Sequence, residues 1–427
     1  MRFASIHVML IDSVLIGSPF GLADPDSTGS AIVMKRLPTF ASLCSGCGGL
    51  DLGFEQAGFR GLAAFDLDQQ AIDVHNANLQ TPGFVADIAT SKIREGIPGR
   101  PDVVIAGPPC QGFSTLGKRR LDDPRNSLIL SAARLAVELR PQVIVLENVS
   151  GAVSGTMAPL WAQTEQTIQN AGYRFQTQRV TSAHFGVPQI RRRVVLLAWK
   201  SKSANPHLNS LPARSLQETL SGVGGFENHE PKELKRGSQE YQIALRIRPH
   251  QKLCNVRGGD RAVPTWEIPE VYGTTTASER EVLLTVQRLR RQLRLRDHGD
   301  ADPVRLNDIS EACGRNVNSD VRRLHDKQYL RKVGQRYDLV HAFNGKFRRL
   351  AWHENAPAVD TRFGEPRYFL HPDEQRGLSV REAARIQGFP DDFIFSGPRA
   401  AQFRMVGNAV PPPLAQQIAI AIRDQLL

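Results

Sequence analysis

The chain has 427 residues, 41% of them hydrophobic and 23% charged, enough for two or three domains with substantial cores. Its 54 Lys and Arg against 43 Asp and Glu leave a formal charge of +11, which points to a polyanionic partner. Five cysteines do not make a disulfide framework and fit a reducing compartment, and no apolar run reaches 18 residues, so a cytoplasmic protein without membrane association is expected.

Residues 1–36 are mildly apolar, but His7 and Asp12 interrupt them. A single Arg stands where a signal peptide would carry its basic cluster, so no targeting segment is read there. With Met34 just ahead of the first strand, they are expected to be a dispensable extension. From Thr39 to Trp199 short β-branched runs alternate with helical stretches, the pattern of a parallel α/β sheet. The predicted strands are TFASLC, GLAAFD, DVVIAG, QVIVLEN and RVVLLAW. DDPRNSLILSAARLAVEL reads as a helix capped by Asp123 with Pro124 in its first turn.

TFASLCSGCGGLDLGFEQAGF leads from the first strand through Gly46, Gly48 and Gly49 into a helix, at the edge where open α/β sheets bind ligands. The G-x-G-G spacing is not the dinucleotide fingerprint. Asp66, ending the second strand, suits ribose hydroxyls; Asp87 in VADIA closes the third strand and could reach an adenine amino group. Loop and acids together suggest an adenosine cofactor without a pyrophosphate, and S-adenosylmethionine fits. Cys44 and Cys47 form a C-x-x-C pair open to a zinc or a redox reading. A zinc site would ordinarily need a second such pair, Cys254 and Cys313 stand far apart, and no metal is assigned.

GPPCQGFS places Cys110 on a Pro-Pro corner after the fourth strand, and ENV places Glu147 after the fifth, at the same edge of the sheet. A lone cysteine is ordinarily an inert core residue. At a ligand edge it reads as a nucleophile that needs activation, because a pKa of about 8.5 leaves little thiolate near neutrality. Glu147 would serve as an acid if burial raised its pKa. In QIRRR, Arg191 and Arg193 fall on one face of a strand and Arg192 on the other. Together these describe a nucleophile, an acid, a cationic clamp and a methyl donor.

After Lys200 the polar, Pro-containing SKSANPHLNSLPARS reads as a linker. Further on, Val282, Val286, Leu289 and Leu293 fall at helical spacing. A break at DHGDADP precedes a short helix around Leu306 and Ile309, a turn at Gly314, and a third helix carrying Val317, Val321 and Leu324 inward. YLRKVGQRYDLV then reads as two short strands about a Gly-Gln turn. Three helices and a hairpin in this order resemble a winged helix-turn-helix. Between Ser278 and Arg349 stand 17 Lys and Arg against 10 Asp and Glu, most of the chain's excess. Arg315, Asn316, Asn318, Ser319, Arg322 and Arg323 are expected on the exposed face of the third helix, with Arg331, Lys332 and Arg336 on the wing. Such side chains suit phosphates and base edges; a solvated face on a protein-binding module is the other reading.

In order, FASLCSGCGGLDLGF, GPPCQGFS, ENV, QIRRR, HPDEQRGLSVREAARIQGFPDDF and QFRMVGNAVPP resemble the motifs of the DNA (cytosine-5) methyltransferases, over roughly Leu37–Lys200 and Trp352–Leu427. The resemblance implies a Rossmann-like, S-adenosylmethionine-dependent α/β catalytic sheet (37–200, completed by a C-terminal return at 381–427). It also implies a smaller target-recognition domain at 201–380, which would contain the winged-helix-like insert at 278–349. It implies that Cys110 attacks C6 of a flipped-out cytosine in double-stranded DNA, Glu147 holds and protonates N3, and Arg191 and Arg193 bind O2. Phe40 would stack on the cofactor adenine. Ser45, Gly46, Gly48, Gly49, Asp66, Asp87, Ile88, Pro108, Leu128, Asn408 and Ala409 would line the cofactor pocket, and Gln111 and Ser114 would belong to the loop closing over DNA.

The chain departs from the family at Leu67, where many members carry Trp after the ribose-binding acid. It departs again at Ala358-Val359, the nearest counterpart of a Thr-aliphatic pair, to which no role is transferred. A monomeric enzyme of a restriction–modification system is expected, with a cognate endonuclease as a further partner. A DNA-binding regulator on a methyltransferase shell and an RNA methyltransferase of the same family are the alternatives. The intact set Cys110, Glu147, Arg191 and Arg193 speaks against the first, and the basic recognition region against the second.

Overall fold

A computed structural model describes residues 36–89, 91–109, 128–201, 205–296 and 301–427, and Leu37–Leu427 make one unit. Its first half is built from β1 (Thr39–Leu43), α1 (Gly49–Gln56), β2 (Arg60–Asp66), α2 (Gln69–Asn78), β3 (Gly83–Val85) and β4 (Val103–Ala106). α3 (Leu128–Glu138), β5 (Val143–Val149), α4 (Ala158–Asn170), β6 (Arg174–Thr181), β7 (Gln189–Ile190) and β8 (Arg192–Trp199) follow. Seven of these strands form one sheet in the order β3-β2-β1-β4-β5-β8-β6. The first five pair in parallel, and β8 runs antiparallel between β5 and β6.

Strand direction explains the side-chain pattern. Alternate residues of the central strands feed two cores: Ala41, Val104, Ile144 and Leu196 pack on one face, Phe40, Ile105, Val145 and Leu197 on the other. Because helices cover both faces, the strands read as continuous apolar runs. The predicted TFASLC, GLAAFD, DVVIAG, QVIVLEN and RVVLLAW correspond to β1, β2, β4, β5 and β8. The edge strand β6, RFQTQRVT, has no counterpart among them. Asp123 and Pro124 of the proposed helix cap lie outside the described residues.

The middle of the chain contributes α5 (Leu216–Leu220), α6 (Gln239–Arg246), β9 (Lys252–Leu253), β10 (Ala262–Val263) and α7 (Pro269–Tyr272). Next come α8 (Ala277–Gln292), β11 (Val304–Arg305), α9 (Leu306–Cys313), α10 (Asn318–Asp326), β12 (Leu330–Val333) and β13 (Arg336–Leu339). These six enclose their own core, with Val282, Val286, Ile309, Val317, Val321 and Leu324 each 1% exposed or less. The three strands pair antiparallel in the order β11-β13-β12. Leu293, expected inside, is 43% exposed because α8 ends at Gln292. Phe347 packs instead with Ile247, Leu253 and Leu370, away from the helical core.

The chain closes with β14 (Arg348–Arg349), β15 (Ala356–Pro357), β16 (Phe369–Leu370), α11 (Val380–Gln387), α12 (Arg399–Asn408) and α13 (Pro412–Gln425). α13 returns to lie on α1. Gly49 is obligatory there, because a Cβ on it would collide with the Val410 carbonyl. β15 pairs in parallel with β7, tying the smaller part of the molecule to the catalytic sheet. Among the described residues no helix is long and apolar enough to cross a membrane.

Candidate active site

The strand order reverses between β1 and β4, and ligands of open α/β sheets bind in the crevice at that carboxyl edge. Leu43, Ala106 and Leu146 stand in register there. The residues after them, Cys44, Gly107 and Glu147, therefore face one crevice. Gly107 N–H donates to the Leu43 carbonyl at 3.3 Å, and Asn148 Nδ2 donates to the Pro108 carbonyl at 3.2 Å. The ENV segment thus anchors the base of the Pro-Pro corner. Cys110, Gln111 and Ser114 beyond it lie outside the described residues.

Glu147 falls within β5 rather than after it, opposite Val195. Arg193, opposite Val149, is its diagonal neighbour on the same face of an antiparallel pair, where long side chains reach each other. Arg193 Nε lies 2.9 Å from Glu147 Oε1, with side-chain exposures of 14% and 9%. The approach is an ion pair without hydrogen-bond alignment, and Oε1 receives no donor among the described residues. An acceptor buried in this way costs free energy until something donates to it.

Arg191 behaves differently from the paired clamp that its spacing suggested. It sits in the break between β7 and β8, 2% exposed. Nη1 donates to the carbonyls of Val359 and Gly407 at 3.2 and 3.0 Å, and Nη2 to that of Ala409 at 2.9 Å. The guanidinium therefore grips the backbone on both sides of Asn408. Burial, and then the neighbouring Arg193, push its pKa down, with Glu147 opposing. Gln189 completes the junction: its Nε2 donates to Gln387 Oε1 at 2.6 Å, and its Oε1 accepts from Val359 N–H at 3.1 Å. Arg192 is exposed, as expected.

On the cofactor side, one expectation is overturned. Phe40 is fully buried in mid-strand, its ring 5.5 Å from that of Phe54, in the core between β1 and α13; it does not reach the crevice. The residue at the strand end is Cys44, with φ at +52°. Its thiol is pushed well up by burial and by the carboxylates of Asp66 and Asp87. The C-x-x-C reading drew attention to Cys44 for metal or redox chemistry and missed this position. Cys47 turns inward: its Sγ lies 3.8 Å from the Met405 carbonyl, and burial pushes its pKa up to about 12.

Asp66 accepts from the N–H groups of Gly46 at 2.8 Å and Asp68 at 2.9 Å, so it is held rigidly at the loop. Asp87 accepts from Ala89 N–H at 2.9 Å. Gly48, at φ +93°, could carry no side chain, since Leu79 and His75 fill the space a Cβ would take. Ser45 Oγ is buried without a partner among the described residues, and Leu67 is 68% exposed beside Asp66. Ile88 is buried, Leu128 half-buried, and both belong to the same core. Asn408 is exposed at the end of α12, and Ala409 follows it. An orphaned hydroxyl, two fixed carboxylates and an exposed apolar rim suit an adenosine.

Much of the basic face expected on the helical module is engaged internally. Arg315 is bound to Glu281 and Asp320, Arg323 to Glu279 and Asp320, and Arg331 to Asp338. Arg336 Nη1 donates to the Pro303 carbonyl at 3.3 Å. Asn316, Asn318, Ser319, Arg322 and Lys332 are exposed, and neither Arg322 nor Lys332 has an ion-pair partner among the described residues.

The model of the C-5 cytosine-specific DNA methylase family matches residues 38–424. The chain is 30% identical over 392 residues to the type II methyltransferase M1.HphI of Haemophilus parahaemolyticus, covering 90% of this chain and 86% of the relative. It is 31% identical over 400 residues to M.XorII of Xanthomonas oryzae, with 91% and 85% covered. Among solved structures, a DNA modification methyltransferase encoded within an E. coli prophage superimposes with a TM-score of 0.55 at 23% identity, over 91% of this chain and 99% of that one.

Proposed function

The chain belongs to the C-5 cytosine-specific DNA methylases and is a DNA (cytosine-5) methyltransferase, and from that premise we propose how its residues carry the reaction. The target is a cytosine in a defined sequence of double-stranded DNA, turned out of the stack because its C6 and C5 are shielded within the duplex. The Cys110 thiolate adds to C6, and the displaced C5–C6 electron pair moves toward N3, where the Glu147 carboxyl supplies the proton. S-adenosylmethionine, when bound, supplies an electrophilic methyl group to C5. A base then removes the C5 proton, the C6–S bond breaks to regenerate the thiolate, and N3 returns its proton to Glu147. Arg193 holds Glu147 and the pyrimidine edge. Arg191 is a positioning residue that fixes the Asn408 loop against the catalytic strands.

Asp66, Asp87, Ser45, Cys44 and Asn408 would hold the cofactor, the acids taking its ribose hydroxyls and adenine amino group. The α8–β13 module is a winged helix that adds DNA contacts through Asn318, Arg322 and Lys332, with its boundary drawn at 277–341. The names of the relatives support a role in a type II restriction–modification system. One observation carries the mechanistic reading: the undonated Glu147 Oε1 beside Arg193, on the strand that anchors the Pro-Pro corner. The test is bisulfite sequencing of plasmid DNA from cells expressing the wild type or Cys110→Ala. Protected cytosines confined to one short recurring sequence, absent in the variant, are expected; unchanged protection in the variant would falsify the thiol mechanism.

A further inference from the structure

Beside β7, on the side away from the Arg191 junction, lies a cleft of about 140 Å³ that the motifs do not assign. Ile190, Leu350 and Pro357 contribute to its apolar wall, and Lys252, Arg261 and Arg348 share its polar side with Glu354 and His250. Ile190 precedes Arg191 directly and is 50% exposed, so the cleft opens next to the catalytic strands.

The cleft is rigidly built. Lys252 N–H donates to the Arg261 carbonyl, Arg349 N–H to that of Gln251, and His250 N–H to that of Arg349, which laces three separate segments together. Adjacent arginines divide the work. Arg349 is 4% exposed, and its guanidinium donates to the carbonyls of Ala244, Ile247, His371 and Glu374. Arg348, half-buried, has no hydrogen-bond or ion-pair partner among the described residues, and neither does the ammonium of Lys252.

One carboxylate lines the cleft, and it is already committed. Glu354 Oε1 lies 2.5 Å from His250 Nδ1 and 3.4 Å from Arg261 Nη2. Arg261 Nε donates to His250 Nε2 at 2.6 Å, which makes Nδ1 the protonated nitrogen, donating to Glu354. Lys252 and Arg348 are thus left to repel each other. Burial, then Arg348, lowers the Lys252 pKa; burial, then Arg362, lowers that of Arg348, with Asp360 opposing. A fold that gathers more cations than carboxylates in a concavity is complementary to a polyanion, and low-dielectric walls concentrate its field.

We propose that this cleft, through Lys252 and Arg348, binds consecutive phosphates of the DNA strand that flanks the flipped cytosine. The proposal rests on the methyltransferase reading for the identity of the duplex. Cations here would register the strand against the catalytic edge, because Ile190 of β7 and its β15 partner Pro357 line the same cleft.

The experiment measures duplex binding of the full chain by fluorescence anisotropy from 50 to 300 mM NaCl, for the wild type, Lys252→Ala/Arg348→Ala and Lys252→Arg/Arg348→Lys. Each lost phosphate contact lowers the slope of log K against log salt by about 0.9, so the alanine pair is expected to lower it by about 2. The charge-preserving pair should keep the wild-type slope. The loss should fall equally on cognate and unrelated duplexes, and in methylation assays on KM for DNA rather than on kcat. An unchanged slope in the alanine pair, with its melting temperature intact, overturns the proposal. So does a loss confined to the cognate sequence, which would make these residues base readers. Melting of the alanine pair alone is resolved by the charge-preserving pair, which must fold and must retain the slope. Should the wild type fail to methylate DNA, the binding slopes still decide the cleft.

Discussion

The catalytic edge and the α8–β13 module are both dense in charge, and they use it in opposite ways. In the module, cations face carboxylates at close range: Arg290 meets Asp338, while Asp320 and Glu279 gather Arg315, Arg323 and Lys327. At the edge and in the adjoining cleft, polar groups are fixed but left without a hydrogen-bond partner among the described residues, among them Glu147 Oε1, which only the charge of Arg193 approaches, Ser45 Oγ, Lys252 and Arg348. Charge counted along a sequence therefore overstates what the module offers a ligand. The useful quantity is charge that the fold holds in place without neutralising.

The sharpest way to break that comparison is to replace the acid whose Oε1 receives no hydrogen bond among the described residues. Glu147→Gln keeps the shape and an N–H donor but cannot deliver a proton. General acid catalysis contributes typically 10²–10⁴-fold, and a single-turnover rate at saturating DNA and cofactor should fall by about that factor while duplex binding persists. A near-wild-type rate would mean that the orphaned oxygen has no catalytic use.

The module should answer the same kind of change with stability instead. Burial alone would raise the Asp338 carboxyl, but hydrogen bonds from His341 and Arg331 and the charge of Arg290 hold it well below the usual carboxylate range. Its folded pKa is depressed, so its contribution is present above the unfolded value and is lost as pH falls through the folded one. Asp338→Asn leaves Arg290 buried without its counter-charge, at a cost of about 3–5 kcal/mol. Hydrogen exchange from Ala277 to Leu339 should accelerate, with the single-turnover rate on short duplexes largely kept.

A smaller effect is expected where the module does keep free cations. Arg322→Ala and Lys332→Ala should each reduce the salt slope of DNA binding by about 0.9 if each meets one phosphate. Arg315→Ala should leave the slope alone and loosen the α8–α10 packing, because that side chain is committed to Glu281 and Asp320.

Much of this division was invisible in the sequence, for physical reasons. Apolar period and turn residues revealed β1, β2, β4, β5, β8 and the three module helices, since each buries a face its own residues announce. β6 escaped because its alternation is weak: RFQTQRVT has one buried residue, Val180. Phe40 was misplaced because β1 is buried on both faces, so period 2 does not say which residues reach the ligand edge. Motif order located Glu147, Arg191 and Arg193 on one edge. It could not tell that a break between β7 and β8 turns Arg191 toward the carbonyls of Gly407 and Ala409, more than 200 residues away. Ion pairing was hidden for the same reason, as Arg290 and Asp338 stand 48 positions apart.

The last prediction concerns a buried pair that belongs to neither category. Ser42 Oγ donates to Asp51 Oδ2 at 2.9 Å, and His75 Nε2 lies 3.3 Å from Asp51 Oδ1, all three residues fully buried beneath the glycine loop. Burial pulls the imidazole pKa down, but the hydrogen bond and charge of Asp51 outweigh it, and the net shift is upward. A raised folded pKa stabilises fully below the unfolded value, near 6.5, and that contribution fades as pH rises through the folded value. Because the His75 ring occupies the space beside Gly48, the loop shares in the effect. The melting-temperature gap between the wild type and His75→Gln should thus be widest below pH 6.5 and narrow as the pH rises above it, with cofactor affinity following the same trend. A gap independent of pH would mean that His75 is neutral throughout and supports the loop by its shape alone, which would leave Asp51 as a buried charge held by Ser42.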